Sequence, residues 1–345
     1  MIAAHTIRTR IEELATAVAD RHFAAFPQTL ARYGDIGRVR CLEDARFHLR
    51  YLATALDAHS EEMFLDYVAW TRIVLARRNV PQEDLAENLR ILATTLNDIL
   101  GAPNSIEAVQ TLHLAIEKIP SMAGDVPSFL DPRAPFWTVA SAYLAALLRG
   151  NRHEAMEDIS RALEEGAKLR DIYRSVFEPV QQEIGRLWQL NQISVAQEHY
   201  CTAATQQIMT QLYGRIFGGE KKEKRAVSMC VGGELHEIGL RIVTDLLELE
   251  GWQTWYLGAN TPPAAAAQLC VDQHADALLI SATLPPHLPE VADVVRQVRA
   301  RRELEKMKIL VGGRAFRNAP DLWRTIGADA YAADADECLA TVAQF

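Results

Sequence analysis

The pattern of the sequence changes near residue 225, and this change limits the possible folds more than any other feature of the chain. From residue 225 to residue 345, short apolar segments of strand length alternate with segments of helical periodicity. This alternation is typical of a parallel sheet covered by helices on both faces, so we predict a Rossmann-like, doubly wound parallel sheet there. The predicted strands are RAVSMCV, WQTWYLG, ADALLISAT, MKILVGG and ADAYAAD, and the predicted helices span 236–250, 262–274, 287–304 and 318–326.

The sequence before residue 225 has helical periodicity and no strand-like alternation. We predict an all-helical module over residues 1–119 and a four-helix bundle over residues 136–217. Residues 120–135 contain four prolines and one glycine, which indicates an irregular linker between the two. Two local predictions are that Ser60 caps a helix and that Pro179 kinks the third helix of the bundle.

Composition excludes several classes of protein. A formal net charge of −9 over 345 residues does not favour nucleic acid or an anionic membrane surface as a partner. The five cysteines are scattered without a CxxC pair, which argues against a disulfide framework and a zinc site. The sequence has no signal peptide and no apolar run of membrane length, so we expect a cytoplasmic protein without membrane association.

A histidine stands in the loop GGELHEIG, residues 232–239, after the first predicted strand. Ligands of such sheets bind at the carboxyl ends of the strands, near the point where the strand order reverses. Glu234 can accept a hydrogen bond from one ring nitrogen of His236 and leave the other nitrogen for a metal. One imidazole cannot hold a bare ion, but it can coordinate a metal that a macrocycle already holds. The alternative is a structural or solvated histidine.

Small residues stand at the other strand ends. Ser281 and Thr283 follow the third predicted strand, and Gly312 and Gly313 follow the fourth. Gly239 would let a bulky group approach the start of the helix that follows the histidine loop. The loop lacks the GxGxxG fingerprint and no Walker lysine follows it, so a dinucleotide or nucleotide-triphosphate site is not expected.

Together these strand ends resemble the motifs of cobalamin-binding domains. ELHEIG is similar to DxHxxG, with Glu234 in place of the aspartate, and SAT at 281–283 and GG at 312–313 match the two other motifs in order. The resemblance implies that His236 is the lower axial ligand of cobalt and that the nucleotide tail of the cofactor enters the domain. It also implies that Ser281 and Thr283 line the slot for this tail, with the glycine pair giving it room.

The bundle segment WQLNQISVAQEHY resembles the light-sensing adenosylcobalamin photoreceptors, because Trp188 is followed by Glu198 and His199 at W-x9-E-H spacing. The resemblance implies that the bundle caps the upper face of the corrin. Trp188 would cover the adenosyl group, and Glu198 would bind its ribose hydroxyls. Gln189 stands where some members carry a second cobalt-binding histidine, so His199, another group or water would take the upper site after illumination. The alternative is that Trp188 is a core residue and that Glu198 and His199 are surface residues.

The N-terminal module resembles the globin-like, biliverdin-binding module of photocobilins, in which it is joined to a cobalamin-binding unit. In the segment CLEDARFHLRYL, the residues Cys41, Asp44 and His48 share one helix face. Asp44 and His48 would accept from the pyrrole N–H groups of the bilin, and Cys41 is either its covalent attachment site or a small buried thiol. The cations for its propionates would be Arg38, Arg40, Arg46 and Arg50. The alternative is a helical dimerisation module without a chromophore.

The expected function is therefore that of a light sensor and not of an enzyme. Photolysis of adenosylcobalamin would move the bundle against the sheet domain and change homo-oligomer assembly or the binding of a separate effector protein. We expect no DNA-binding domain, because the first segment lacks a recognition helix with a basic face. The alternative function is a corrinoid methyl carrier of a methyltransferase system. A mutase subunit is disfavoured, since the large barrel domain of such enzymes is missing.

Overall fold

The structure, a computed structural model, describes residues 2–216, 221–319 and 321–345. It contains two compact units, which divide between Asp125 and Val126. This boundary falls inside the segment 120–135 that the sequence predicts as a linker. Residues 217 and 320 belong to predicted helical segments and lie outside the described residues. No helix among the described residues is long and apolar enough to cross a membrane.

The first unit is helical throughout its described part. Ser60 caps the fourth helix as predicted, because its side chain accepts a hydrogen bond from the backbone N–H of Met63 at 3.3 Å. The third helix changes direction at Gly34, whose φ of 63° is open to glycine at little cost. The core is formed by fully buried side chains that include Leu52, Phe64 and Leu89. The helices are α1 Ile2–Thr9, α2 Ile11–Ala25, α3 Pro27–Asp57, α4 Glu61–Ala76, α5 Gln82–Leu100 and α6 Ile106–Lys118.

The second unit begins with the predicted bundle. Its helices are α7 Trp137–Leu148, α8 Arg152–Glu164, α9 Leu169–Ile172, α10 Glu178–Gln189 and α11 Val195–Gln211. The irregularity expected at Pro179 takes the form of a π-helical turn over Tyr173–Phe177, which joins α9 to α10. The backbone N–H of Glu178 bonds to the carbonyl of Tyr173, five residues earlier, just before the proline that has no N–H to donate. The segments α9, Tyr173–Phe177 and α10 thus form one long helix of the bundle, which is locally widened at the π-helical turn.

A parallel five-stranded sheet follows, as the sequence predicts. The strands are β1 Arg225–Cys230, β2 Gln253–Tyr256, β3 Ala277–Ser281, β4 Lys308–Gly312 and β5 Ala330–Ala332, in the spatial order β2-β1-β3-β4-β5. The helices between and after them are α12 Ile238–Leu249, α13 Pro263–Asp272, α14 Leu288–Arg299, α15 Leu322–Thr325 and α16 Ala335–Val342. The chain leaves β1 toward β2 on one side and returns to β3 on the other. The strand order therefore reverses between β1 and β3, and this is where the fold opens a crevice.

The bundle and the sheet domain share one core within the second unit. Ile242 and Leu246 of α12 are buried together with bundle side chains such as Tyr173 and Phe177. Burial of apolar surface on this scale stabilises the contact between bundle and sheet. It also brings α11 to the loop after β1, where the side-chain amide of Gln206 bonds to Glu237.

Candidate functional site

Three strand ends meet at the point where the strand order reverses. Cys230 at the end of β1 pairs with Ser281 of β3, and Ser281 pairs with Gly312 of β4. Because these pairs are in register, the loops that follow the three strands start side by side. The loop after β1, residues 231–237, is called the His236 loop.

The His236 loop holds its histidine with a buried carboxylate. Glu234 is 0% exposed, and its Oε1 lies 2.6 Å from Nδ1 of His236 and 2.9 Å from the backbone N of the same residue. The His236 side chain is 58% exposed, and its Nε2 has no hydrogen bond within the described part of the chain. The ring is therefore held on one side and presents the other nitrogen outward.

Electrostatics fix the tautomer of this histidine. Burial alone would raise the pKa of Glu234, but hydrogen bonds from His236 and His287 outweigh it and hold that pKa well below its usual range. The hydrogen bond to Glu234 raises the pKa of His236. An ionised Glu234 can only accept, so Nδ1 carries the proton and Nε2 keeps a free lone pair when the ring is neutral. A neutral imidazole in this state is suited to bind a metal through Nε2.

The second oxygen of Glu234 joins the His236 loop to the loop after β3. Its Oε2 accepts from the backbone N–H of Thr283 at 2.6 Å and of Leu284 at 3.2 Å. Nδ1 of His287 lies 3.0 Å from the same oxygen. The Glu234 carboxylate thus connects the His236 loop to the loop after β3, and it holds the His236 ring in place through Nδ1.

His287 was not identified from the sequence. It ends the 3₁₀ turn Pro285–His287 and lies 53 residues from Glu234 along the chain. No local spacing in the sequence indicates that Glu234 and His287 meet. The turn that positions the His287 ring is marked in the sequence only by two consecutive prolines. Gly233 has a φ of 78°, and a Cβ at that position would lie 3.3 Å from Nε2 of His287, so the glycine leaves room for this ring.

Glu237 joins the His236 loop to two further elements. Its Oε1 accepts from the side-chain amide of Gln206 in α11 at 2.5 Å. Its Oε2 accepts from the hydroxyl of Tyr256 at 3.1 Å and from the backbone N–H of Ala259 at 2.8 Å. The loop is therefore connected to the bundle helix α11 as well as to the end of β2. No motif in the sequence marks Glu237.

The predicted small residues have different surroundings. Ser281 and Thr283 are half-buried at the end of β3 and in the loop beyond it. The space where a Cβ of Gly239 would lie is open, which leaves room at the start of α12. In contrast, a Cβ on Gly313, which has a φ of 98°, would overlap the carbonyl oxygen of Ala282. The packing of adjacent strand ends by itself requires glycine at 313, and the role of the glycine pair toward a nucleotide tail stays a prediction.

On the bundle side, Glu198 lies near the start of α11. Its Oε2 is 2.5 Å from Nδ1 of His199, and its Oε1 accepts from the hydroxyl of Thr202 at 3.1 Å. After the hydrogen bond to Glu234, the negative charge of Glu198 is a further cause of the raised pKa of His236. Glu198 lies two helical turns before Gln206, whose side-chain amide bonds to Glu237 of the His236 loop.

The crevice also carries apolar surface. Leu235 is 72% exposed beside His236, and Val195 is 55% exposed in the first turn of α11. Trp188 is half-buried against the bundle core, and Gln189 beside it is buried. An exposed leucine next to a free imidazole nitrogen fits a flat macrocycle, which offers a large apolar face and a central metal. Trp188 thus packs against the bundle core while part of its side chain stays accessible.

No group of three or more histidine, cysteine or acidic side chains that could hold a metal ion occurs within residues 2–216, 221–319 and 321–345. A metal at His236 must accordingly bring most of its ligands with it. The chemistry of this donor set thus fits a metal already enclosed by a macrocycle better than a free ion.

The predicted bilin residues lie on α3, but they are not equally accessible. His48 is 1% exposed, its Nδ1 is 2.8 Å from the hydroxyl of Tyr67, and burial lowers its pKa to about 4. Burial raises the pKa of Asp44 to about 6 and that of the Cys41 thiol to about 11. Such a thiol is a poor nucleophile at neutral pH. His48 is thus a buried residue with a hydrogen-bond partner, and the roles of Asp44, His48 and Cys41 toward a bilin stay predictions.

Three of the four arginines proposed for propionates already have carboxylate partners. Arg38 pairs with Asp20, Arg40 with Glu43 and Arg46 with Glu12. One feature does favour a ligand near Cys41: the side-chain amide N of Asn88 lies 3.4 Å from its sulfur, while the buried Oδ1 of Asn88 has no hydrogen-bond partner among the described residues. A buried acceptor without a partner is costly unless a ligand or water satisfies it.

Comparison with known families agrees with the geometry of the second unit. Residues 224–343 match a family model described as "B12 binding domain", and residues 139–213 match a second model with the same description. These two segments correspond to the sheet domain and to the bundle. The chain is a cobalamin-binding protein.

Particular relatives differ in kind. The chain is 28% identical over 187 residues to the HTH-type transcriptional repressor CarA of Myxococcus xanthus, which covers 53% of this chain and 62% of the relative. It is 32% identical over 124 residues to dimethylamine corrinoid protein 3 of Methanosarcina acetivorans, which covers 36% of this chain and 57% of the relative. The chain therefore spans less than two thirds of each.

A solved structure has the same fold. The Methanosarcina barkeri monomethylamine corrinoid protein superposes with a TM-score of 0.54 at 21% identity, over 61% of this chain and 99% of that one. The helical bundle joined to a Rossmann-like sheet is thus an architecture that a corrinoid protein uses.

Proposed function

We propose that this protein is a light sensor that uses adenosylcobalamin, with the bundle acting as a cap over the upper side of the cofactor. The observation that carries the proposal is the position of Glu198, a carboxylate at the start of α11, the helix that bonds through Gln206 to Glu237 of the His236 loop. A methyl group on cobalt offers nothing for a carboxylate to bind. An adenosyl group offers two ribose hydroxyls, which are donors suited to this carboxylate.

Each site residue then has a defined task. Nε2 of His236 would hold the cobalt, and Glu234 keeps the ring in the tautomer that leaves this nitrogen free. Trp188 would cover the adenosyl group and exclude water from it, while Glu198 would accept hydrogen bonds from its hydroxyls. Adenosylcobalamin would supply a light-sensitive cobalt–carbon bond.

The output would come from the contact between the cap and the sheet domain. The polar pairs that hold this contact include Gln206 with Glu237, Thr210 with Arg241, and Tyr173 with Asp245. Hydrogen bonds of this kind each contribute about 1 kcal/mol, so losing contacts above the corrin can shift the balance between two cap positions. We propose that the shift changes homo-oligomer assembly or the binding of a separate effector.

A second chromophore in the first unit remains part of the proposal. A biliverdin in a globin-like module would extend the response to red light. The unsatisfied Oδ1 of Asn88 supports it, because a pyrrole N–H is a donor that this atom lacks. Asp44, with a pKa raised to about 6 by burial, is a second candidate acceptor on the same helix as Cys41.

The second candidate function is a methyl carrier. Relatives named as dimethylamine corrinoid proteins and the fold of the monomethylamine corrinoid protein favour it. A methyl carrier has no use for a carboxylate or an indole over the upper face. The two functions therefore differ in how the protein ranks adenosylcobalamin and methylcobalamin.

The proposal is tested by dark titration of the apoprotein with each of these cobalamins, followed by absorbance. We expect tighter binding of adenosylcobalamin, and in Trp188→Ala about a tenfold loss of affinity for it, because a large apolar contact is removed. Methylcobalamin affinity should change by less than threefold in the same variant. Equal affinities in the unmodified protein, or equal losses for both cofactors, would favour the methyl carrier.

A further inference from the structure

A series of polar side chains in contact with one another runs from the core of the bundle to the carboxylate of Glu198. It begins at Tyr143 in α7, whose hydroxyl lies 2.8 Å from the hydroxyl of Thr205 in α11. Both residues are 0% exposed. The side-chain amide of Gln181 in α10 donates to the same Thr205 hydroxyl at 2.8 Å. Three different helices are thus joined through one buried hydroxyl.

The chain continues to Glu198 through Thr202. The amide oxygen of Gln181 lies 3.4 Å from the Thr202 hydroxyl, and that hydroxyl lies 3.1 Å from Oε1 of Glu198. A threonine hydroxyl has one proton, and a carboxylate is the stronger acceptor, so Thr202 donates to Glu198. The Gln181 amide oxygen, at 3.4 Å, then contacts Thr202 without a hydrogen bond and restricts its side chain on the side away from Glu198.

The position of Glu198 is otherwise weakly determined. Its side chain is 29% exposed, and its other partner, His199, is 76% exposed on the same helix. A glutamate in such surroundings samples several rotamers, and binding a ligand to one of them costs conformational free energy. A hydrogen bond from a side chain anchored in the core lowers this cost in advance.

We propose that Thr202, Gln181, Thr205 and Tyr143 are positioning residues that hold Glu198 in the rotamer that binds the hydroxyls of the upper ligand. The inference rests on the proposed role of Glu198, and it names how the protein prefers an upper ligand with hydroxyls to a methyl group. These residues act through Glu198 and do not touch the ligand themselves. Their loss therefore weakens binding of adenosylcobalamin selectively.

Thr202→Val tests this inference, because valine keeps the branched shape of the side chain and removes the hydroxyl. We expect the dissociation constant for adenosylcobalamin in the dark to rise about three- to tenfold, the range of one lost hydrogen bond. The constant for methylcobalamin should stay within twofold, since it shares the corrin and the lower face. Thr202→Ser restores the hydroxyl and should return the ratio of the two constants to within twofold of the unmodified protein.

Two further variants make the result decisive. Thr244→Val is the control for a general loss of stability. It removes a buried hydroxyl of α12 that lies 2.6 Å from the hydroxyl of Ser228 and does not contact Thr202, Gln181, Thr205 or Tyr143. Gln181→Leu removes the side-chain amide that contacts both Thr205 and Thr202. It should raise the dissociation constant for adenosylcobalamin in the same way as Thr202→Val, but by a smaller factor. Equal rises for both cobalamins, or a Thr202→Ser variant no better than Thr202→Val, would overturn the inference.

Glu198→Gln separates this inference from the proposed function. If Glu198→Gln lowers the preference for adenosylcobalamin and Thr202→Val does not, Glu198 binds the upper ligand without help from the chain, and the inference is wrong. If neither variant changes the preference, the proposed role of Glu198 is wrong, and the inference falls with it.

Discussion

At the scale of single residues, Glu234 organises the site. One buried carboxylate accepts from both the ring and the backbone of His236, and it also accepts from the loop after β3. The resemblance to cobalamin-binding domains places an aspartate there, and the longer glutamate reaches the same histidine while its second oxygen bonds His287. The added methylene thus does not remove the control of the tautomer.

The sequence could predict this pair and not its third member. Glu234 and His236 are two residues apart in one loop, so their contact follows from local geometry. His287 reaches the same carboxylate only because the strand order reverses between β1 and β3. A contact that depends on which strands become neighbours leaves no spacing in the sequence to detect.

Replacement of His236 by alanine tests its proposed role as a ligand of cobalt. His236→Ala removes the nitrogen that we propose binds cobalt, so the absorption spectrum of bound cobalamin should lose the signature of histidine ligation. Retention of the cofactor during dialysis should fall at least tenfold. The control is His153→Ala, which replaces an exposed histidine of α8. A spectrum of His236→Ala identical to that of the control would show that the loop does not ligate cobalt.

At the scale of elements, α11 connects the two sides of the site. Glu198, Thr202, Gln206 and Thr210 recur at four-residue intervals and therefore form one stripe of the helix. Thr202 bonds to Glu198 within the helix, while Gln206 bonds to Glu237 and Thr210 bonds to Arg241. Helical periodicity predicted the helix, but polar residues on a stripe do not reveal whether they face solvent or another domain.

The contact between the cap and α12 should depend on pH through Asp245. Its carboxylate is 1% exposed and faces Tyr173, Tyr213, Arg241 and Glu248. Burial raises its pKa to about 6, so the folded state favours the protonated form. The stability that this group contributes is therefore present below about pH 4 and is lost as the pH rises through about 6.

The corresponding measurement is urea unfolding of the apoprotein at several pH values, compared with Asp245→Asn, which cannot titrate. Between pH 5 and pH 7.5, the free energy of unfolding of the unmodified protein should fall by about 1 kcal/mol relative to the variant. A difference between the two proteins that does not change over this range would mean that Asp245 is ionised in the folded state throughout.

At the scale of the whole molecule, the sequence predicts more of the structure of the second unit than of the first. Five strands with clear boundaries and three motifs at strand ends define the sheet domain, and the family matches over 139–213 and 224–343 agree with it. For residues 1–119 the sequence predicts helices, which the structure contains. It does not reveal that His48 is fully buried against Tyr67 or that Asn88 keeps an unsatisfied oxygen, because both depend on how the helices pack.

The most direct test of the account is illumination of the full chain loaded with adenosylcobalamin in the dark. Absorbance and hydrodynamic size are recorded before and after green light, with the methylcobalamin-loaded protein kept in the dark as a reference for size. We predict that the absorption bands of adenosylcobalamin bleach and that the size distribution shifts with them. Bleaching without any change in size or in sedimentation would contradict a sensor that works through assembly, and an unchanged spectrum would contradict light sensing by cobalamin altogether.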